Sequence, residues 1–385
     1  MSIALSANSS VTVDALVPAV MSSVSAWRQF VPGPVPVESH ILAIGIQQLP
    51  YNRTDAFSEV SHEIQRGLQD LFQTDGSIAL LTGSGTAAME AAVINFLDSS
   101  DKALVVNGGT FGQRWLDLCK AHSVPSEEYS AHFGEDVDLA KLEGLLSTGQ
   151  FSALLINAHE TSTGHLYDIE AIGKLARRHD VLFVVDAISS ICADPFAMDD
   201  WLVDVCILSS QKALALPPGL SFVAMNRRAL AALEQRESRS LYFNLKDYLD
   251  NQRRGQSPYT PAIGLMLQLR QRLADIEKEG LQQLLSRHQR RAEHFRHAIK
   301  NLAFEILPSR SSNAMTALTC GKMDACEVAE RLRTHYRILV APSGGVLKSK
   351  LIRVAHMGAQ EPADVELLIA ALTEIDASSR RKREI

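Results

Sequence analysis

The chain has 385 residues, enough to bury a large core and to carry one large and one smaller domain, and its 46% hydrophobic and 21% charged residues exclude a disordered or membrane-spanning protein. Its net charge of −6 argues against nucleic acid or an anionic membrane as the main partner, and the short basic run Arg380-Arg381-Lys382-Arg383 reads as a solvated end. Five scattered cysteines (Cys119, Cys192, Cys206, Cys320 and Cys326) show no C-x-x-C spacing, which indicates neither a disulfide framework nor a zinc site and fits a reducing cytoplasm; the first residues, with Asp14 and no basic-then-apolar pattern, do not read as a signal peptide.

Residues 1–29, rich in Ser, Val and Ala, read as an N-terminal extension that packs on the body or on a partner subunit. The prolines of Phe30-Val31-Pro32-Gly33-Pro34-Val35-Pro36 forbid a helix, and Gly33 lets the backbone approach a ligand, so the segment is either a stiff connector or a substrate-contacting loop. Arg53 is a site residue or a surface charge, and Ser58 to Phe72 follows with helical periodicity. Ser77 to Leu81 then reads as a strand running into Thr82-Gly83-Ser84-Gly85-Thr86 and a helix-forming run from Ala87. Glycines between strand and helix free the backbone to wrap an anion, and the helix start supplies unpaired N–H groups. Ser84 and Thr86 add hydroxyls, and no Lys follows Gly85 as it would in a nucleoside triphosphate loop.

The next strand, Ala103 to Asn107, leads into Gly108-Gly109-Thr110-Phe111-Gly112-Gln113-Arg114, where Phe111 is either core packing or a platform for a planar heterocycle. Ala153 to Asn157 ends in His159-Glu160-Thr161-Ser162, with Thr161 placed to bond a ring hydroxyl and His159 and Glu160 as polar packing. Leu182 to Val185 ends in Asp186, and Val205 to Leu208 ends in Ser209-Ser210-Gln211-Lys212. Apolar runs alternating with helices predict a largely parallel sheet, whose carboxyl ends collect ligands. Ser84, Phe111, Thr161, Asp186 and Lys212 are thereby delivered to one edge.

Leu220 to Met225 reads as an antiparallel strand, Arg227 to Gln235 as a helix, and Tyr242 to Tyr259 as a mobile polar and aromatic loop. One long helical stretch from Tyr259-Thr260-Pro261 to about His297 bridges the large domain, 30–275, to a small carboxyl-terminal domain, 276–385. Strands at Ala303 to Leu307, Thr316 to Thr319 and Ile338 to Ala341, and helices at Asp324 to His335 and Glu361 to Ile375, make up the latter. Arg353 stands inside the apolar strand Leu351-Ile352-Arg353-Val354-Ala355 and needs an anionic partner there, either a substrate carboxylate or phosphonate or an internal Asp or Glu.

An acid and an amine at neighbouring strand ends form an ordinary ion pair in many proteins. Beside a phosphate loop and an aromatic platform, the pair Asp186 and Lys212 suits pyridoxal 5′-phosphate: the lysine forms the Schiff base and the acid keeps the pyridine nitrogen protonated. From Phe30 to Ile375 the chain resembles the class V aminotransferases of the alanine-glyoxylate and 2-aminoethylphosphonate-pyruvate group, in the motifs PGPV from Pro32, GSGTAAMEAA from Gly83, FGQR from Phe111, ETSTG from Glu160, VVDAISS from Val184, SSQKALALPPG from Ser209 and IRVAHMG from Ile352. The resemblance implies an α/β fold of type I, with a mostly parallel seven-stranded sheet in the large domain and a smaller α+β domain. It implies that Lys212 is the Schiff-base lysine and Asp186 its pyridinium partner, that Ser84, Gly85, Thr86 and Gln211 hold the cofactor phosphate, that Phe111 stacks on the ring and that Thr161 meets the ring hydroxyl. Thr260 would reach the phosphate of the other subunit's cofactor in a homodimer with shared sites, and Arg353 and Gly33 would meet the substrate. Phe111 replaces the tryptophan usual in alanine-glyoxylate enzymes. The implied reaction moves an amino group from a small amino acid or amine, a 2-aminoalkylphosphonate included, to pyruvate or glyoxylate. The competing readings are a lyase or cysteine desulfurase of the same fold, whose usual His before the lysine is here Gln211, and a non-catalytic binding relic.

Overall fold

The structure, a computed structural model, describes residues 27–381. Most of the expected extension over 1–29, and Lys382 and Arg383 of the basic run, lie outside the described residues. The large domain is built on seven strands: β1 (Ser77–Thr82), β2 (Ala103–Asn107), β3 (Ser126–Ser130), β4 (Ala153–Asn157), β5 (Leu182–Asp186), β6 (Val205–Ser209) and β7 (Leu220–Met225). They lie in the order β1-β7-β6-β5-β4-β2-β3, with β7 antiparallel to both neighbours and the other pairs parallel. Strands β4 to β7 are buried at every residue, which is why they read as apolar runs without alternation: helices cover both faces of a parallel sheet. The register sets Asn157 opposite Asp186 and Asp186 opposite Ile207, so β4 and β5 end level and β6 runs two residues further, to Ser209.

The small domain carries a four-stranded antiparallel sheet of β8 (Glu305–Ile306), β9 (Met315–Thr319), β10 (Ala341–Pro342) and β11 (Leu351–Ala355) in the order β8-β9-β11-β10. The helices Leu281–Ala298, Ala325–Tyr336 and Pro362–Arg381 pack with it. Its core includes Phe30, and Arg28–Gln29 pairs in parallel with Ile338–Leu339. A few residues on, Val35 belongs to the large core. The Pro32–Pro34 segment therefore crosses between the two cores, and the helix Leu281–Ala298 crosses back, with Leu284 in one core and Phe295 in the other.

Several elements differ from the sequence expectations. The expected single helix to His297 is two, Ile263–Glu279 and Leu281–Ala298, broken at Gly280, whose φ of 88° lies outside the helical region. The expected mobile loop contains the helix Leu245–Gln252, with Leu245, Tyr248 and Leu249 buried, and Gly255 sits against Ser58. Strand β3, sequence SEEYS, escaped notice because it is an edge strand on which only Tyr129 is buried. The helix Leu139–Leu146, capped by the Asp138 carboxylate, was also unanticipated. No helix of the described residues is long and apolar enough to cross a membrane.

Candidate active site

The carboxyl edge of the sheet gathers the expected side chains. Asp186, the last residue of β5, is buried, and its carboxylate accepts hydrogen bonds from Asn157 Nδ2 at 2.7 Å and from the Ile188 N–H at 2.8 Å. Burial is the largest influence and pushes its pKa up to about 6, against the two hydrogen bonds that favour the anion. Asp186 makes no salt bridge among the described residues, although the charge of Arg114 acts on it and it acts on Lys212.

Lys212 lies just beyond β6, and its Nζ donates to the Pro32 carbonyl at 2.5 Å. Enclosure, then the positive charge of Arg353, lowers its pKa to about 8, with Asp186 acting in the opposite direction. Gly33 lies across the lysine with φ 136°, and a Cβ there would come within 2.9 Å of Lys212 Cδ and Nζ. The Val35 N–H donates to the Gln211 carbonyl at 3.2 Å, which fastens the Pro32–Pro34 crossing to the lysine's own turn. The segment is thus a connector between the two cores that also packs on Lys212.

Ser84 precedes the helix Gly85–Phe96 as its N-cap, yet its hydroxyl caps none of the first N–H groups of that helix. Gly85 is needed for packing: a Cβ would meet Ile188 Cδ1 at 2.4 Å, directly behind Asp186. Thr86 Oγ1 accepts from Arg114 Nη1 at 3.1 Å, and the Arg114 guanidinium lies 4.7 Å from the centre of the Phe111 ring. Arg114 was missed at the sequence level; its place three residues after Phe111, one helical turn away, was the available signal. Phe111 itself is half-buried and not part of the hydrophobic core. Gln211 accepts a short hydrogen bond from Ser209 Oγ.

Glu160 has more than a packing role. Its buried carboxylate accepts from the N–H groups of Phe111, Gly112 and Ser162 at 3.0–3.2 Å, and so holds the start of the helix that carries Phe111. Thr161 is buried, with Oγ1 at 2.8 Å from Ser189 Oγ, and its carbonyl accepts from Arg353 Nη1 at 3.4 Å. Arg353 Nη2 donates to the Pro342 carbonyl at 2.9 Å, its Nε is enclosed without a partner, and it makes no ion pair among the described residues. The internal salt bridge left open by the sequence is therefore not made. Two residues stand apart: Arg53 is a surface group bonded to Gln256 and the Ser257 carbonyl, and Thr260 is exposed. Of the cysteines, four are buried and Cys326 stands at the start of a small-domain helix, so none offers the accessible thiol at the sheet edge that a desulfurase needs.

An acid, an enclosed amine, an open helix start and an unpaired guanidinium at one sheet edge can hold a phosphorylated cofactor and an acidic substrate. The family model described as Aminotransferase class-V matches residues 48–351. The chain belongs to the class V aminotransferases. Members of this family are pyridoxal-phosphate-dependent transaminases, and the fold type I architecture is theirs. Among similar chains, the serine–glyoxylate aminotransferase of Arabidopsis thaliana is 31% identical, covering 86% of this chain and 85% of its own. The soluble hydrogenase small subunit of a Synechococcus strain is 32% identical, covering 90% of this chain and 91% of its own. The crystal structure of alanine–glyoxylate aminotransferase from Nostoc superposes with a TM-score of 0.87 at 28% identity, covering 91% of this chain and 95% of that one. The glycine-rich turn, Asp186 and Lys212 all fall inside the residues that match the class V aminotransferase family.

Proposed function

We propose that this class V aminotransferase moves an amino group from a small amino acid or amine to a keto acid, glyoxylate or pyruvate, with pyridoxal phosphate held at the sheet edge. The observation that carries the substrate reading is Arg353, an unpaired guanidinium whose charge acts on Lys212. A planar fork that gives only two bonds to carbonyls and pairs with no acid among the described residues suits an incoming carboxylate. The names of the serine–glyoxylate and alanine–glyoxylate relatives favour glyoxylate as acceptor. A 2-aminoalkylphosphonate donor would satisfy the same guanidinium.

The residues fit the cofactor. Ser84 Oγ, the N–H groups of Gly85 and Thr86, and Gln211 would hold its phosphate, Phe111 would flank the ring, Thr161 would meet the ring hydroxyl, and Asp186 would regain a positive partner in the ring nitrogen. Bound there, pyridoxal phosphate supplies an aldehyde for Lys212 and a ring that draws electrons from the substrate carbon. Lys212, its pKa lowered to about 8, has neutral amine available near neutral pH, which would take the proton from the substrate Cα and pass it to the cofactor's aldehyde-derived carbon. Gly33 leaves the lysine room to move, and Arg353 fixes the carboxylate so that the Cα faces Nζ.

Thr260 is read as serving the site of a second copy. It is exposed beside apolar side chains that water would otherwise meet: Leu241, 80% exposed, whose carbonyl accepts from Tyr259 Oη, and Leu49, 48% exposed, against Gly264. A homodimer in the cytoplasm is the expected state. The test is a panel of donors against pyruvate and glyoxylate, followed by the cofactor's absorbance. Lys212→Ala is expected to lose both the lysine-bound yellow band and turnover, while Arg353→Gln keeps the band and raises KM for acidic substrates about tenfold or more, the worth of a charge-assisted hydrogen bond. Survival of the band in Lys212→Ala, or an unchanged KM in Arg353→Gln, would overturn the assignment.

A further inference from the structure

His159 is enclosed behind the site and takes no part in the chemistry assigned above. Its Nδ1 lies 2.9 Å from Ser189 Oγ, and Ser189 Oγ lies 2.8 Å from Thr161 Oγ1. Its Nε2 is closed off from solvent and has no hydrogen-bond partner among the described residues. Burial, with the charges of Lys212 and Arg296 acting the same way, holds the ring neutral, its pKa lowered to about 3.

A neutral imidazole has one proton for two nitrogens, and the surroundings decide which carries it. Either tautomer leaves Nε2 unsatisfied, but an orphaned buried N–H is the rarer case in folded proteins, and the Ser189 backbone carbonyl, which can only accept, favours a proton on the ring nitrogen that faces Ser189. Placed on Nδ1, it is donated to Ser189 Oγ. The Ser189 hydroxyl hydrogen then has two places to go, Thr161 Oγ1 at 2.8 Å or the His159 carbonyl at 3.4 Å, and the shorter contact is the better bond. Once Thr161 Oγ1 accepts from Ser189, its own hydrogen must be donated elsewhere. The opposite tautomer reverses every link and leaves the Thr161 hydroxyl able only to accept from a ligand.

We infer that His159 is a positioning residue that fixes a one-way donor chain, from His159 Nδ1 through Ser189 Oγ to Thr161 Oγ1, so that Thr161 presents a hydrogen-bond donor to an ionised oxygen of the ligand. The inference rests on the proposed cofactor reading, in which that oxygen is the ring hydroxyl of pyridoxal phosphate after it has lost its proton. Thr161 also carries the carbonyl that receives Arg353 Nη1, so the same residue ties the ring-side chain to the carboxylate-binding arginine.

The test has two parts, both on the full chain. In the cofactor-free protein, nitrogen NMR of ring-labelled histidine, with the His159 signal assigned by its loss in His159→Asn, is expected to show the proton on Nδ1; a proton on Nε2 overturns the inference. In binding titrations, the wild type is expected to prefer pyridoxal phosphate over its 3-deoxy analogue about tenfold, the worth of one hydrogen bond to a charged oxygen. His159→Asn, which keeps an N–H donor at the Nδ1 position, should retain that preference, and His159→Leu should lose most of it. An undiminished preference in His159→Leu overturns the inference. Failure of the wild type to bind pyridoxal phosphate at all strikes the cofactor reading instead, and the tautomer in the cofactor-free protein then decides the direction of the chain by itself.

Discussion

At Lys212 the backbone of another segment does as much as the side chain's own neighbours. Gly33 lies across the lysine with a φ that L side chains rarely adopt, and the Pro32 carbonyl holds Nζ. Gly33→Ala would carry both backbone strain, on the order of 1–3 kcal/mol, and a Cβ 2.9 Å from the amine. The expected outcome is an enzyme with a far-ultraviolet spectrum like the wild type, slower attachment of cofactor at Lys212 and lower kcat. Attachment at the wild-type rate would show that the glycine only shapes a connector. Residue types in sequence marked Asp186, Lys212 and Gly33 as candidates, because an acid, an amine and a glycine at those places have few uses in common. They did not mark Arg114 or Glu160, whose roles depend on which side chains they face after folding.

Among the elements, the Gly280 break decides how the two domains are joined. With the break in place, the second helix carries Leu284 in the large core and Phe295 in the small one. Nothing but Gln283 Cγ, at 4.0 Å, comes near a Cβ at Gly280, so the cost of Gly280→Ala is backbone strain alone. The expected loss of stability is on the order of 1–3 kcal/mol by denaturant titration, with kcat/KM within about twofold of wild type. A more stable variant would mean that the helix prefers to continue. The break was hidden in sequence because helical periodicity runs through both halves and a lone glycine inside such a pattern is often tolerated. Strand β3 was hidden for a different reason: an exposed edge strand has no apolar run to display.

For the whole molecule, buried titratable groups set the dependence of stability on pH. His159 and His288 have pKa values pushed down to about 3 by burial, and His356 is lowered by the same cause. Between those values and the ordinary 6.5, the unfolded chain binds protons that the folded one does not, so stability falls as pH falls through that window. Each such histidine contributes on the order of 1 kcal/mol per pH unit. Asp186 and Asp194 act with the opposite sign: burial raises both to about 6, the folded chain binds the extra protons between there and the ordinary 3.8, and stability rises on acidification across that range. Three histidines outweigh two acids. The melting temperature of the cofactor-free protein is therefore expected to drop from pH 7.5 to pH 5, slowly at first and more steeply once pH falls below the ordinary histidine value of 6.5. Asp194→Asn, which removes one compensating group, should make the drop below pH 6 steeper; a melting temperature that is flat or rises on acidification would contradict this balance.

The sequence by itself determined the fold class and which polar residues gather at the sheet edge, because apolar strands that end in polar residues and alternate with helices have few other ways to bury their surface. It left open whether Phe111 is core or platform, whether Pro32–Pro36 is connector or ligand loop, and whether Arg353 is paired within the chain. Only the tertiary structure shows their contacts: Phe111 stays half-buried under Arg114, Gly33 lies on Lys212, and Arg353 meets carbonyls but no acid among the described residues. Each question turns on a contact between segments far apart in the chain, and local pattern carries no information about which distant group a side chain will face.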